Sequence, residues 1–439
     1  MGYQSPYKAF IFEDYSFDKH TSVAKFHYSF DGIRHFTETV EFSSDALESA
    51  QNSVNTQILD EALKLAFYVA GTSYFKAFPT RQVIFKTAEP DVWQALFLQN
   101  VYTYGLSQFM FENNLSLEDM PKFSGHESEP NSSSYSGEGT IALQSGGKDS
   151  LLLASLLEER GVAYKPLYIS SGENHPAVLD SLASSLDVAK RELDILALNQ
   201  AKAEGGLNGH VPVTYIVLSY ALISTVLQNK KTVLVSIGVE GGEAHEHIGD
   251  LPVNHQWSKT WAAEQLLARY VTTYISSDLQ IGSPLRGFSE LRVSELFVEH
   301  AWKRFGHSFS SCNRANYKQG EDNHELKWCG ECPKCANSYL LFAPFVEPNE
   351  LQGIFGGQVL FKKPSLTETF KGLLGIDGVM KPFECIGEVD ELRLAYHMAQ
   401  IKYGDAAYQL PFDVPKSTFD YKKIQPMQTW ASELITTVY

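Results

Sequence analysis

The 439-residue sequence reads as an α/β protein with a parallel-sheet core, preceded by an α+β region and followed by a small, mostly helical segment. From residue 139 onward, strand-like runs alternate with helical stretches: "TIALQ", 149–160, "KPLYIS", 175–187, "ELDILAL", 212–228 and "TVLVSIG". Such a βαβ series places parallel strands in one sheet with helices on both faces. Residues 8–42 instead alternate apolar and polar side chains, the two-residue period of half-buried antiparallel strands. Between these regions "SGHESEPNSSSYSGEGT" offers no apolar run to bury and reads as a linker. A chain of this length exceeds one ordinary core. The shifts divide it into an N-terminal domain at 1–123, a linker at 124–138, a βαβ domain at 139–344 and a C-terminal domain at 345–439.

Each element has its own signal. "AFIFEDYSF", "SVAKFHYSF" and "IRHFTETVEF" are strands, with Asp31-Gly32 as a hairpin turn. Helical patterns follow at 56–70 and 90–113. In a parallel sheet ligands gather beyond the carboxyl ends of the strands. The turns after "TIALQ", "KPLYIS" and "TVLVSIG" are therefore expected to face one cleft. "VPVTYIVLSYALISTVL" is too short and too polar to cross a bilayer and reads as a buried helix. The segment after residue 345 carries "KPFECIGE", and no internal repeat is present.

Hydrophobic residues at 44% and charged residues at 20% are those of a globular protein. A net charge of -16, from 36 basic and 52 acidic residues, argues against nucleic acid as a partner. "MGYQSPYKAFIFEDYSF" lacks the basic start and apolar run of a signal peptide, and the cysteines do not resemble a secreted disulfide framework. A cytoplasmic protein without a membrane partner is expected.

The turn after "TIALQ" is Ser145-Gly146-Gly147-Lys148-Asp149-Ser150. It fits neither the Walker A spacing nor G-x-G-x-x-G. Gly146 and Gly147 allow backbone N–H groups to turn toward an oxyanion, and the helix that follows adds its positive end. Ser145 and Ser150 can donate hydroxyls; Asp149 would repel phosphate directly and suits loop orientation or Mg²⁺. An ordinary glycine-rich turn is the alternative.

Cys312, Cys329, Cys332 and Cys335 give C-x16-C-x2-C-x2-C. Three thiols within seven residues, with Cys312 to close the set, point to a metal: structural Zn²⁺ ahead of an iron–sulfur cluster. A third constellation follows "TVLVSIG". "SIGVEGGEAHEHIGDLPVNHQWSKT" crowds Glu240, Glu243, His245, His247 and His255 into one loop, with Asn254, Gln256 and Lys259 as a binding surface for an anionic substrate. Solvated loop decoration is the alternative. Cys385, the cysteine outside the cluster, is either a thiolate base or a small buried hydrophobe.

"SGGKDS" after a strand resembles the signature of the PP-loop ATP pyrophosphatase superfamily, whose fold is like that of the adenine nucleotide alpha hydrolases. The resemblance implies that Ser145, Gly146, Gly147, Lys148, Asp149 and Ser150 hold the pyrophosphate of ATP. It places adenine and ribose contacts at "SSGEN", with Ser170 and Gly172. The whole layout, "SGGKDS" with "GVE…VNHQWSK", "CGECPKC" and "KPFEC", resembles the UDP-N-acetyl-α-D-muramoyl-L-alanyl-L-glutamate epimerase (MurL) family. Cyano-deazaguanine synthases carry a similar cysteine group but are much shorter.

That resemblance implies an ATP-dependent isomerase of peptidoglycan precursor synthesis. It would invert the terminal L-glutamate of a UDP-muramoyl dipeptide through a carboxyl adenylate, releasing AMP and pyrophosphate, with Mg²⁺ assisting. The acid and base would come from His175, His245, His247, His255, Glu240, Glu243 and Cys385, among which the sequence does not choose. Another adenylating PP-loop enzyme, forming an amide or modifying tRNA, is the alternative; a nucleotide-binding regulator is a further one.

Overall fold

The computed structural model describes residues 3–43, 55–130, 132–172, 174–316 and 324–438. Three antiparallel strands open the chain: β1 (Ala9–Asp18), β2 (Val23–Phe30) and β3 (Arg34–Glu41). Asp31 and Gly32 both take positive φ, 52° and 68°, as the turn between β2 and β3 requires. The Asp31 carboxylate also accepts the Ala9 N–H at 2.8 Å, tying the turn to the first strand. β4 (Gln82–Phe85) then adds alongside β1 in parallel.

The expected βαβ series supplies β5 (Thr140–Leu143), β6 (Lys165–Ser170) and β8 (Thr232–Leu234), and β7 (Asp187–Glu192) joins them just ahead of the stretch read as a strand. β9 (Glu246–Ile248) and β10 (Leu251–Val253) form a separate small hairpin, and β11 (Gln280–Gly282) closes the main sheet. That sheet has nine strands in the order β11-β8-β5-β6-β7-β3-β2-β1-β4. The five from β11 to β7 are mutually parallel. β3 joins them antiparallel to β7, through Thr39↔Glu192, Val40↔Arg191 and Glu41↔Lys190. The expected division at 124–138 is thus no division of the sheet. Tyr135 within it is pinned by its N–H to Asp278, at 2.9 Å.

Successive residues of the central strands face opposite layers. Ile141, Leu143 and Val233 enter one apolar core, with helices Thr56–Ala70 and Val213–Leu227. Ala142 and Leu234 enter the other, with helices Lys148–Glu159, Glu290–His300 and Pro333–Phe342 and the C-terminal helices Thr367–Leu374 and Val389–Tyr403. The apolar run at 211–227 is indeed a buried helix, and no helix among the described residues is long and apolar enough to cross a membrane.

Three readings of elements need correction. The helix expected over 90–113 is two, Val92–Tyr104 and Ser107–Glu112, parted at Gly105, where a Cβ would come within 2.4 Å of the Val101 carbonyl. The helix expected at 175–187 is only a 3-10 turn, Ala177–Ser181, because residues from Asp187 onward are already β7. "ELDILAL" is not a strand: Asp194 accepts the Ala197 N–H at 3.0 Å and so caps a helix, Ile195–Ala203.

Candidate functional site

From β5 the chain proceeds to β6 on one side and later returns to β8 on the other, so the strand order reverses at the carboxyl end of β5. Such reversals open a crevice. A cleft of about 460 Å³ lies there, lined by the turns after β5, β6 and β8.

Its floor is the glycine turn. Gly146 has φ +76°, and a Cβ there would come within 2.6 Å of Leu326. Gly147 stands at the N-cap of Lys148–Glu159 without a side-chain cap, which leaves first-turn N–H groups for an anion. The loop holds its own shape: Ser145 N–H donates to Ser150 Oγ at 3.2 Å, and Ser150 Oγ donates to the Gly147 carbonyl at 3.1 Å. Lys148 turns inward, with Nζ 2.6 Å from Asp149 and 2.7 Å from Glu290. Burial opposes its charge, but those two carboxylates hold its pKa above the ordinary lysine value. Burial also pushes Glu290 up, to about 8, against the pull of Lys148. Asp149, not Lys148, is the charged member of the turn that lines the cleft.

Ser170 lines the cleft and shapes the turn after β6, donating to the Gly172 carbonyl at 2.7 Å and accepting the Gly172 N–H at 3.1 Å. Gly172 itself is exposed and outside the lining. Sequence reasoning missed Gln144, Arg191, Ser311, Asn313 and Lys334 in this lining. Gln144 is buried with neither amide atom partnered among the described residues, a mark of a group awaiting a ligand. Its place directly before Ser145 was the available signal.

The four clustered cysteines come together with all four sulfur atoms within 4.8 Å of one another. Neighbouring pairs lie 3.5 to 3.7 Å apart, as free thiols. A tetrahedron with Zn–S bonds of about 2.3 Å has edges of about 3.8 Å, so the set fits one ion. N–H groups of Ala315, Gly330 and Glu331 point at the sulfurs of Cys312, Cys335 and Cys329. The cluster is wired into the cleft: Ser311 and Asn313 flank Cys312, and Lys334 sits between Cys332 and Cys335.

The polar loop divides sharply. Lys259 lines the cleft and pairs with buried Glu240 at 2.8 Å. Burial disfavours its charge, but Cys385, Glu240 and Asp149 hold its pKa above normal. Cys385 lies among Lys259, Lys334 and the His255 ring. Burial pushes the thiol up, but the two ammonium groups and the imidazole hydrogen bond outweigh this and bring it to about 6. His255 Nδ1 is 2.6 Å from Gln108 Oε1, and His210 packs on the same ring at 4.3 Å between centroids. The His245 ring stacks on Phe383 and is buried, its nitrogens without a well-formed hydrogen bond among the described residues, although the Pro382 carbonyl lies near. Burial and Lys381 depress its pKa to about 4.

Other candidates are engaged elsewhere. Glu243 pairs with Lys381 at 2.7 Å and accepts the Val389 N–H, serving the start of helix Val389–Tyr403. His247 is exposed on β9, and His175 pairs with Asp180 at 2.7 Å. Asn254 Nδ2 donates to the Gly241 carbonyl while its Oδ1 accepts the Gln256 N–H. Gln256 donates to the Ile386 carbonyl, joining this loop to the segment that carries Cys385.

Comparison with known proteins supplies matches along most of the chain. Residues 1–283 match the family described as MurL N-terminal domain, and residues 308–408 the one described as MurL C-terminal domain. The UDP-N-acetyl-alpha-D-muramoyl-L-alanyl-L-glutamate epimerase of Xanthomonas oryzae pv. oryzae is 32% identical over 390 residues, 88% of this chain and 84% of that protein. The protein of the same name from Micromonospora sp. is 33% identical over 392 residues, 87% of this chain and 85% of its own length. That from Salinispora tropica is also 33% identical, over 87% of this chain and 83% of its own length.

Proposed function

The chain belongs to the MurL family, and on that premise we propose that it inverts the terminal L-glutamate of UDP-N-acetylmuramoyl-L-alanyl-L-glutamate by adenylating its carboxylate. The observation that carries this reading is one cleft with an anion cradle at residues 145–150 and the Lys259 ammonium on its wall, with Cys385 beside that ammonium but outside the lining. A glutamate carboxylate oxygen attacks the α-phosphorus of ATP, and the bond to the β-phosphate breaks. Pyrophosphate leaves against the uncapped helix start. Asp149 is the carboxylate that would hold Mg²⁺ beside the phosphates, where the ion would offset their charge.

Adenylation removes the negative charge that makes Cα–H so weakly acidic. The Cys385 thiolate then takes the proton, and the electron pair moves into the acyl carbonyl, whose oxygen the Lys259 ammonium stabilises. The proton returns to Cα from the opposite face; His245, its pKa depressed to about 4 by burial and Lys381, is neutral and has no imidazolium proton to supply it. Water finally cleaves the mixed anhydride to AMP and the D-acid. Cys312, Cys329, Cys332 and Cys335 would hold a structural zinc, which would brace the wall carrying Lys334. No nucleic acid or membrane takes part.

The test is turnover in D₂O with ATP and Mg²⁺. Deuterium should appear at the glutamate Cα only when ATP is present, together with AMP, pyrophosphate and the D-epimer. AMP release without exchange would leave an adenylating enzyme but no epimerase. ADP and orthophosphate as products would remove the adenylate.

A further inference from the structure

Arg191 lines the cleft, but the groups that orient it come from the N-terminal part of the chain. It stands near the end of β7, where that strand pairs with β3 at Val40. Its Nε donates to Glu38 Oε1 at 2.6 Å and its Nη2 to Ser73 Oγ at 2.9 Å. The Tyr220 hydroxyl donates to the same Glu38 oxygen, and the guanidinium carbon lies 5.9 Å from the centroid of the Tyr220 ring. The Glu38 side chain has no exposure, and that of Arg191 keeps 11%. Two of its three nitrogens are thus held, while Nη1, with both its protons, has no hydrogen-bond partner among the described residues.

The surroundings decide what those protons suit. A carboxylate buried against the guanidinium offsets its charge, so the free edge is a directional donor more than a bare cation. Tyr220 places the group on the sheet face covered by helix Val213–Leu227. On that face Ile169, Val217, Leu218 and Val235 line the cleft with apolar groups. Val213 is exposed at the start of the helix, and Thr214 beside it brings to the lining a hydroxyl without a hydrogen bond among the described residues. Two strand spacings of about 4.8 Å separate the ends of β5 and β7, so Arg191 stands roughly 10 Å along the sheet from the glycine turn. The group it meets is therefore not the one seated in the cradle. An apolar shelf with a few fixed polar groups matches a flat heterocycle that carries acceptors on its edge.

We propose that Arg191 is a ligand-binding residue of the cleft, oriented by Glu38 and Ser73, and that its Nη1 donates to an acceptor on the edge of a nucleobase. The N-terminal strands thereby belong to the site and not only to the sheet. The base is the adenine of ATP or the uracil of the UDP-linked dipeptide, which share this chemistry: ring nitrogens or carbonyl oxygens in the plane of an aromatic ring. The inference rests on the function proposed above for those two ligands alone. It is independent of which groups move the proton at Cα.

The experiment is calorimetric titration of the full-length protein with ATP and Mg²⁺, with UDP, and with pyrophosphate and Mg²⁺. Pyrophosphate has no base and reports on the cradle alone. The variant Arg191→Met with Glu38→Gln removes the donor without leaving a buried carboxylate unpaired. It should bind pyrophosphate as the unmodified protein does, and one of the two nucleotides at least ~10-fold more weakly, the loss of a hydrogen bond from a charged donor. Loss confined to ATP identifies adenine, and loss confined to UDP identifies uracil. Arg191→Lys keeps the charge beside Glu38 but not the planar fork, so it should be as weak for that nucleotide as the double variant. It also preserves the test if the double variant does not fold. Unchanged affinity for both nucleotides overturns the inference. So does full affinity in Arg191→Lys, which would make the partner an anion held by charge. Equal weakening of pyrophosphate overturns it as well, since Arg191 would then be supporting the whole cleft. Failure of the proposed function reads differently: the unmodified protein would bind neither ATP nor UDP, and both readings would fall together.

Discussion

In the turn 145–150, Ser145, Gly147 and Ser150 are bonded to one another, whereas the wall around Cys385 is assembled from residues far apart in the chain. At the cradle, Ser145, Gly147 and Ser150 close a loop of hydrogen bonds within six residues, and what is left over for a ligand is backbone N–H. At the thiol, His255 leans on Gln108, Lys259 on Glu240, and Gln256 on Ile386. A local loop gives rigidity, which suits an anion of fixed shape. A wall drawn from distant segments can bury several charges close together and so move a thiol from its ordinary range to about 6. In the proposed mechanism the two ends serve different steps, and Lys259, near both Asp149 and Cys385, joins them.

If the ends do separate chemistry, single changes should separate it too. Asp149→Ala should lower AMP release by roughly 10³-fold or more, since the electrostatic work at the phosphates is lost. Its partner Lys148 keeps Glu290, so circular dichroism and melting temperature should change little. Cys385→Ser should lower Cα exchange by about 10²–10⁴-fold while AMP release continues by hydrolysis of the unused adenylate. Equal loss of both activities in both variants would break the comparison. Cys332→Ser strikes the support shared by the two ends. Metal analysis should fall from one zinc per chain toward none, and stability should drop by on the order of 4 kcal/mol. Lys334 would then lose its place, so both AMP release and exchange should decline together. A variant that keeps its zinc and both activities would refute the structural role.

Legibility in the sequence follows the same line. The cradle and the cysteine cluster are contiguous or nearly so, and their geometry is set by glycines, a helix start and a thiol spacing; the structure brings each set together where its pattern points. The parallel strands β5, β6 and β8 and the buried helix Val213–Leu227 were readable from period and apolarity, whereas β7 and β11 were not. Sheet continuity was not, because the pairing of β3 with β7 joins residues about 150 apart and leaves no local mark. Nor could the loop 236–260 reveal which of its acids and histidines point inward. Glu243 and His245 are two residues apart, yet one serves a helix start and the other is buried against Phe383. Cys385 closes "KPFEC", a string that carries the family resemblance but no role for the thiol, and against burial its pKa is lowered by lysines in two other segments.

The smallest expected effect concerns Asn254, one of three residues read from sequence as a substrate-binding surface. Its amide is already spent inside the protein: Nδ2 donates to the Gly241 carbonyl at 2.6 Å, and Oδ1 accepts the Gln256 N–H at 2.7 Å. Its own N–H goes to Ser107. These bonds shape the turn that carries His255 and presents Lys259 to the cleft, and they occupy both ends of the Asn254 amide. Asn254→Ala removes two hydrogen bonds of ordinary strength, which should destabilise the protein by about 1–2 kcal/mol. The backbone contact to Ser107 remains. KM for the dipeptide should stay within about threefold, a difference below ~0.7 kcal/mol, while kcat falls modestly as His255 gains freedom. Lys259→Ala, by contrast, removes an ammonium that lines the cleft and should raise KM as well as lower kcat. If Asn254→Ala raised KM as much as Lys259→Ala with no change in melting temperature, Asn254 would be touching substrate directly. The loop would then be a binding surface in the sense its sequence suggested, and not a frame for the two residues it carries.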